Sequence, residues 1–254
     1  MKRPLQSIDL VIPIYNEESS LPRSMQTLDR RLRSFDLPEW RIVIVDNGST
    51  DDSQHVGEAM AEQFERIQYE RLEIKGRGHA LRHAWSTTEA EASLYMDVDL
   101  STGLEAIPKV VEHLEDGADL VVGSRLSPGS ETTRSFKREV LSRGYNLLIK
   151  ALFRSRGFDD AQCGFKAIRT STIQPILPLI ENNEWFFDTE LLLVTETAGL
   201  DVRSIPVSWV EDDDSRVRIA STVLEDLRGL ARVRRSLTRK LGQLTADGGT
   251  APAR

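Results

Sequence analysis

Two short runs of mostly β-branched residues near the start constrain the fold more than anything else in the chain: Ile8-Asp9-Leu10-Val11-Ile12 and Arg41-Ile42-Val43-Ile44-Val45. Each is nearly continuous in apolar side chains and each stops at a polar cluster. A strand buried on both faces of a parallel sheet, ending at a functional edge, reads this way. Between them, Ser20 to Phe35 puts Leu21, Met25, Leu28, Leu32 and Phe35 at three- and four-residue steps, with Pro22 in the first turn, where proline is tolerated. The opening is a βαβ unit, and the fold class is α/β: a mostly parallel central sheet flanked by helices.

The texture continues down the chain. Asn47 to Asp52 offers helix caps ahead of a helical segment from Ser53 to Phe64. Strands are expected at Ile67–Ile74, Ala92–Val98 and Asp119–Gly123, with helices at Gly78–Thr88 and Leu104–Leu114 between them. Leu126 to Arg134 is polar and rich in breakers, and reads as a lid loop. A second half follows: a helix from Phe136 to Phe153, a strand at Gly164–Arg169, helices at Ser171–Leu179 and Asp188–Ala198, and a strand at Val202–Val210. Pro206 within that last strand predicts an edge position. Residues 1–215 form the body, 216–244 a basic amphipathic helical segment, and 245–254 a small polar tail expected to be disordered.

Composition limits the function classes. The chain has 254 residues, 39% hydrophobic and 29% charged, enough for a large core without staples. No run approaches the roughly 20 apolar residues of a bilayer span, and the start has no apolar core of signal-peptide length. The lone Cys163 makes neither an internal disulfide nor a cysteine-based zinc site. A cytosolic protein is expected. The net charge of −7, from 33 Lys and Arg against 40 Asp and Glu, argues against nucleic acid as a partner. It is unevenly spread: Arg216 to Lys240 holds eight basic side chains against two acidic ones, so the body carries the acidic excess.

Asp97-Val98-Asp99 is the sharpest chemical feature. Two carboxylates two residues apart after an apolar strand suit one hard divalent cation, since Mg²⁺ and Mn²⁺ take one or two protein carboxylates plus substrate phosphate oxygens; a turn or helix cap is the structural alternative. Asp46 also ends a buried strand, and parallel strands bring their carboxyl ends to one edge. Asp46-Asn47-Gly48-Ser49-Thr50-Asp51 reads either as a base or ribose cradle or as an Asx-type turn with a cap. Pro13-Ile14-Tyr15-Asn16-Glu17-Glu18 adds an aromatic face and acids beside it. Gly76-Arg77-Gly78 lacks the third glycine of a dinucleotide fingerprint. His79 and His83 have zinc-compatible spacing but no third ligand, and read as an ordinary helical face.

In order along nearly the whole chain, VIPIYNEE, IVDNGSTDDS, KGRGHALRHA, YMDVDLST, VVGSR, SRGYNLL, DDAQCGFKAIR and WFFDTELL resemble the family 2 glycosyltransferases of GT-A fold. Within them the sequence is similar to the dolichyl- and polyprenyl-phosphate sugar synthases. The wording DAQCGFK followed by WFFDTEL is most similar to the dolichyl-phosphate β-glucosyltransferases. The resemblance implies an inverting transfer of a hexose, glucose from UDP-glucose foremost, to a polyprenyl phosphate at the cytosolic face of a membrane.

It also implies roles. Pro13, Tyr15, Glu17, Asp46, Gly48 and Asp51 would line the nucleotide pocket, with Lys75 and Gly76 nearby. Asp97 would stand on the ribose or sugar side and share Mg²⁺ or Mn²⁺ with Asp99; Ser101 stands where related synthases carry a longer metal-binding side chain. Arg125 and Arg143 would hold phosphates, Asp160 would sit near the acceptor, and Arg138, Asp188 and Glu190 would face the acceptor side. A phosphate acceptor, with a second pKa near about 6, needs no dedicated base; for a hydroxyl acceptor Asp188 or Glu190 is the candidate.

Two basic amphipathic segments bear on the lipid. One runs from Phe136 to Arg156, with Val140, Leu141, Leu147, Leu148, Leu152 and Phe153 among basic residues. The other runs from Ala220 to Leu241, with Val223, Leu224, Leu227, Leu230, Ala231, Leu237 and Leu241 on one broad face. Such helices lie in a bilayer interface, making peripheral attachment the expectation; packing on the body is the alternative. Mannose or a GDP-linked donor, a soluble acceptor, a silent nucleotide-sugar-binding subunit and a homo-oligomer all stay open at this level.

Overall fold

The computed structural model describes residues 3–133, 136–155, 157–210 and 219–246. Strands β1 (Ser7–Ile14), β2 (Glu39–Asp46), β3 (Ile67–Arg71), β4 (Ala92–Met96), β5 (Leu120–Ser124), β7 (Phe165–Arg169) and β8 (Val202–Pro206) form one sheet in the order β3-β2-β1-β4-β7-β5-β8. Helices α1 (Leu21–Leu32), α2 (Ser53–Gln63), α3 (Arg77–Thr87) and α4 (Ala106–Glu115) are the crossovers. The pairs β1–β2, β1–β4 and β2–β3 are parallel. The strand order reverses at β1, between β2 and β4, and open α/β sheets bind ligands at such a switch point, beyond the carboxyl strand ends.

The predicted elements fall close to their expected places, and the departures have local causes. Strand β3 stops at Arg71, shorter than expected, and the Leu72 amide closes the β2–β3 ladder by donating to Asp46 O at 2.8 Å. The helix expected over Ser171–Leu179 becomes a four-residue α6 (Thr170–Ile173) and a 3₁₀ turn at Gln174–Leu179: Pro175 and Pro178 have no N–H for an α-helical ladder. The strand expected over Val202–Val210 splits into β8 and a two-residue β9 (Trp209–Val210) after Pro206. Strand β8 does lie at the sheet edge, parallel to β5.

Strand β7 is antiparallel to both neighbours, so its first residues meet the carboxyl ends of β4 and β5. The lid reading of Leu126–Arg134 is corrected in one respect: the described part is stitched down. Ser124 Oγ accepts the Leu126 and Ser127 amides at 3.1 and 3.0 Å, and Ser130 Oγ donates to Ser124 O at 2.6 Å. Strand β6 (Thr132–Thr133) then pairs with β9.

Three further helices cover the second half: α5 (Phe136–Phe153), α7 (Phe187–Thr197) and α8 (Ile219–Ala246). The apolar stripe of α8 is divided. Leu230, Val233 and Leu237 are buried, whereas Leu224 and Leu227 are exposed. Polar contacts hold it in place: Arg232 pairs with Glu181 and Glu190, Asn182 Nδ2 donates to Glu225 Oε1 at 3.1 Å, and Gln162 Nε2 donates to Asp226 Oδ2 at 2.9 Å. Asp226 is buried at the underside of α8. The tail from Asp247 onward lies outside the described residues.

Burial, with the charges of Glu225 and Asp188 adding to it, pushes the Asp226 carboxyl up to about 7 against the Gln162 hydrogen bond, from an ordinary 3.8. Between those values the folded protein keeps a proton that the unfolded chain has released, so this residue makes stability fall as pH rises from about 4 to about 7. Asp226→Asn keeps an acceptor for Gln162 without the charge. Its melting temperature, followed by circular dichroism, is expected to exceed that of the parent by a margin that widens to several degrees between pH 5 and pH 8.

Candidate active site

The loops that follow β1 and β2 are built by mutual capping. The turn after β1 has Asn16 at φ 56°, and the turn after β2 has Gly48 at φ 71°; a Cβ on Gly48 would also stand 3.2 Å from Leu72 O. The Asn16 and Glu17 amides donate to Ser49 Oγ and Ser53 Oγ at 2.9 and 2.7 Å, and the Thr50 and Asp52 amides return to Asn16 Oδ1 and Glu18 Oε2, both at 2.8 Å. Asp51 accepts the Ser53 and Glu18 amides; though burial opposes it, these hydrogen bonds hold its pKa below the ordinary value. Lys75 Nζ sits 3.6 Å from the centre of the Tyr15 ring. Tyr15, Glu17, Asp51 and Lys75 are thus brought to one rim.

Asp46 makes the Asx-type turn that was one of its two readings. It is fully buried and both oxygens are engaged: Oδ1 by the Ser49 amide at 2.8 Å, Oδ2 by the Tyr69 hydroxyl at 2.7 Å and Arg71 Nη1 at 3.1 Å. Arg71 also donates to Ser49 O. Asp46 therefore organises the floor of the loop. Tyr69 and Arg71, which the sequence reading passed over, carry that role; their alternation with buried Ile67 in a short edge strand was the only signal.

At the end of β4, Asp97 and Asp99 flank a turn in which Leu100 takes φ 53°, its amide donating to Asp97 O at 3.1 Å, and Ser101 N–H donates to Asp99 Oδ1 at 2.9 Å. The turn is braced from outside, with Gly103 N–H on Ser208 O and Val210 N–H on Ser101 O. Arg77, the first residue of α3, puts Nη2 2.7 Å from Asp97 Oδ1. Its guanidinium lies between the Tyr95 and Trp185 rings, at 5.4 and 4.8 Å. Burial pushes the Asp97 carboxyl up, and the charge of Asp99 adds to this, while Arg77 opposes it. Arg77 stood in the sequence inside a failed glycine fingerprint, which hid it.

The donor set for a cation is small. Among the described residues no three His, Cys, Asp or Glu side chains gather at one point. Two carboxylates on one turn still suit a hard cation that takes its remaining ligands from phosphate and water.

Arg125 follows β5. Its Nε and Nη2 donate to Asp160 at 2.7 and 2.9 Å, its amide donates to the same carboxylate at 3.1 Å, and its guanidinium lies 5.4 Å from the Trp209 ring centre. Burial works against the Asp160 carboxylate, but Arg125 outweighs it and holds its pKa below the ordinary value. Cys163, three residues on, is buried and its thiol is pushed up to about 12 by that burial, which makes it a packing residue.

Two acceptor-side expectations are corrected. Asp188 is buried against Lys166 Nζ at 2.8 Å and the Tyr95 hydroxyl. Glu190 is buried beneath Arg232, which donates to both of its oxygens at 2.8 Å, with the Asn182 amide at 2.9 Å. Helix α7 is buried on nearly every side, so Asp188 on the β7 side and Glu190 on the α8 side are both paired within the protein and neither offers a free carboxylate to an acceptor hydroxyl. Arg143 lies on the exposed side of α5, paired with Glu139 one turn earlier at 2.8 Å. Arg138 lies outside the described side chains.

The model for "Glycosyl transferase family 2" matches residues 9–175. Glycosyltransferase AglD of Haloferax volcanii is 31% identical over 221 residues, which cover 85% of this chain but only 35% of AglD. The dolichyl-phosphate beta-glucosyltransferase of Saccharomyces cerevisiae is 28% identical over 248 residues, covering 89% of this chain and 74% of the yeast protein. The chain thus spans about a third of one relative and three quarters of the other. The crystal structure of glucosyl-3-phosphoglycerate synthase from Mycobacterium tuberculosis with Mn²⁺, UDP-glucose and phosphoglyceric acid superposes with a TM-score of 0.68 at 18% identity, over 90% of this chain and 80% of that one. That likeness extends the GT-A architecture across the second half of the sheet, and the family model covers the loops after β1 and β2, the paired carboxylates and the Arg125–Asp160 pair: the chain belongs to glycosyl transferase family 2.

Proposed function

We propose that this protein transfers glucose from UDP-glucose to a polyprenyl or dolichyl phosphate, with inversion at the anomeric carbon, at the cytosolic face of a membrane to which it attaches peripherally. The observation that carries the reading is the convergence of Asp97 and Asp99 with Arg77 and Arg125 beside the capped loops of β1 and β2, in a chain aligned over most of its length with a dolichyl-phosphate beta-glucosyltransferase.

In this reading Pro13, Tyr15, Glu17, Gly48, Asp51, Lys75 and Gly76 hold the nucleotide, with Asp46 beneath them. Asp97 and Asp99 hold Mg²⁺ or Mn²⁺, which when bound supplies positive charge to the leaving diphosphate. The reaction is an in-line displacement: an acceptor phosphate oxygen forms the new bond to C1 as the bond to the nucleoside diphosphate breaks. Arg125 and Arg143 offset negative charge on the phosphates, and a group placed where charge grows lowers the barrier most. No base is assigned, because a phosphate monoester is largely dianionic at neutral pH. The burial of Asp188 and Glu190 agrees with that and disfavours a hydroxyl acceptor.

The lipid side rests on apolar surface. No described helix is long and apolar enough to cross a membrane, yet Val140, Leu141 and Leu147 of α5 and Leu224 and Leu227 of α8 are exposed, and α5 packs against α8. With Arg143 and Arg228 among them, these side chains suit a bilayer interface.

Purified protein given labelled UDP-glucose, Mn²⁺ and vesicles carrying polyprenyl phosphate is expected to yield a chloroform-soluble labelled product. Asp99→Ala should lower the rate by about 10²-fold or more; an unchanged rate would refute the cation assignment. Equal transfer to phosphoglyceric acid without vesicles would replace the lipid with a soluble acceptor. In thermal-shift measurements with Mn²⁺, UDP-glucose should raise the melting temperature more than GDP-mannose does. Leu141→Asp combined with Leu147→Asp should weaken sedimentation with vesicles while leaving turnover of a short-chain soluble polyprenyl phosphate within about twofold, since an exposed charge perturbs the interface and not the fold.

A further inference from the structure

Strand β7 carries a lysine in the middle of the sheet. Lys166 is fully buried, in register with Tyr95 of β4 on one side and Val122 of β5 on the other. An ammonium group in such a place costs several kcal/mol unless it is paired and fully hydrogen-bonded. Here Nζ donates to Asp188 Oδ1 at 2.8 Å, to the Cys163 carbonyl at 2.6 Å and more weakly to the Tyr95 hydroxyl at 3.4 Å. The Tyr95 hydroxyl donates to the same Asp188 oxygen. None of these groups has a part in the displacement described above.

What they share is position. Tyr95 lies two residues before Asp97, and Asp188 lies in the first turn of α7. Cys163 lies in the turn from Asp160 to Gly164, which Asp160 anchors to Arg125 at its other end. Gly164 is packed so tightly that a Cβ on it would overlap Asp97 Oδ2 and stand 2.9 Å from Arg77 Nη2. The Asp160–Lys166 segment is therefore a strap tied at both ends by buried charges, with its glycine forming the wall against which Asp97 rests. By gripping the Cys163 carbonyl, Lys166 sets where that wall stands.

We propose that Lys166, neutralised by Asp188 and steadied by Tyr95, is a positioning residue for the cation and diphosphate site: it holds Asp97 in its working orientation through Cys163 and Gly164. The inference rests on the nucleotide-sugar reading of the Asp97–Asp99 edge. It distinguishes Lys166 from a residue that only stabilises the fold, because a buried pair replaced by apolar groups of similar size often leaves stability unchanged or improved.

The test is the double variant Lys166→Met with Asp188→Leu, alongside Gly164→Ala, which presses on Asp97 and Arg77 while leaving Lys166 and Asp188 in place. Mn²⁺-dependent binding of UDP and of GDP is measured by calorimetry, melting temperature by circular dichroism, and kcat and KM with vesicles carrying polyprenyl phosphate. The expected result is a double variant that melts within a few degrees of the parent and binds the Mn²⁺–nucleotide pair at least tenfold more weakly. Its kcat should fall about 10²-fold, the scale of a misplaced reacting group, with KM for the lipid phosphate within about twofold. Gly164→Ala should reproduce the binding loss. Parent-like Mn²⁺–nucleotide binding in a folded double variant overturns the positioning role alone. If the double variant does not fold, Gly164→Ala decides: parent-like binding by it overturns the role. A parent that binds neither nucleotide with Mn²⁺ overturns both this role and the function on which it rests.

Discussion

The Arg125–Asp160 pair is the contact on which the reactive edge depends. The sheet gathers acids at its carboxyl ends, and like charges in a low-dielectric setting drive each other toward protonation. A guanidinium that donates twice to Asp160, with a third bond from its own backbone amide, keeps that carboxylate charged and fastens the second half of the chain to the end of β5. Arg77 pairs with Asp97 at 2.7 Å, where it opposes the effect of burial without overcoming it. Removing one member of such a pair leaves an uncompensated buried charge, which is far more costly than never having had the pair.

The reversal of β7 gives these pairs their reach. In an all-parallel sheet the residues preceding a strand sit at the opposite edge from the site. Because β7 runs against β4 and β5, the turn that precedes it falls among the carboxyl ends. Asp160, Cys163, Gly164 and Lys166 come from one short stretch and touch Arg125, Tyr95, Asp97, Arg77 and Asp188 from four other elements. Helix α8 adds a further layer through Asp226 on Gln162 and Arg232 on Glu190. Part of the basic segment that looked like a free surface thus holds α8 to the body, while Leu224 and Leu227, among its described side chains, stay exposed.

Much of this was legible in the residues. The βαβ opening, the edge position of β8 from Pro206, and Asp97 and Asp99 at the end of a buried strand all follow from local rules: side-chain period, the missing proline amide, and the tendency of parallel strands to end at one edge. The misplacements concern acids. Asp188 and Glu190 stand as acceptor-side groups only through the WFFDTELL block of the family resemblance. Periodicity told nothing of which side of α7 faces lysine and arginine, since that face is nearly all buried. The partners of Asp46 were likewise out of reach of local pattern: Tyr69 and Arg71 come from a strand that pairs with β2 only in the fold.

The sequence by itself determined the α/β class, the family and the carboxylates at the strand ends, because these depend on short-range pattern and on motifs a few residues long. Only the tertiary structure decided which charges are neutralised and which stay available. Lys166 and Asp188 are 22 residues apart and Arg232 and Glu190 are 42. Whether a carboxylate is a ligand, a base or half of a buried ion pair depends on what lies within about 4 Å of it, a distance that long-range chain closure sets and local pattern does not encode.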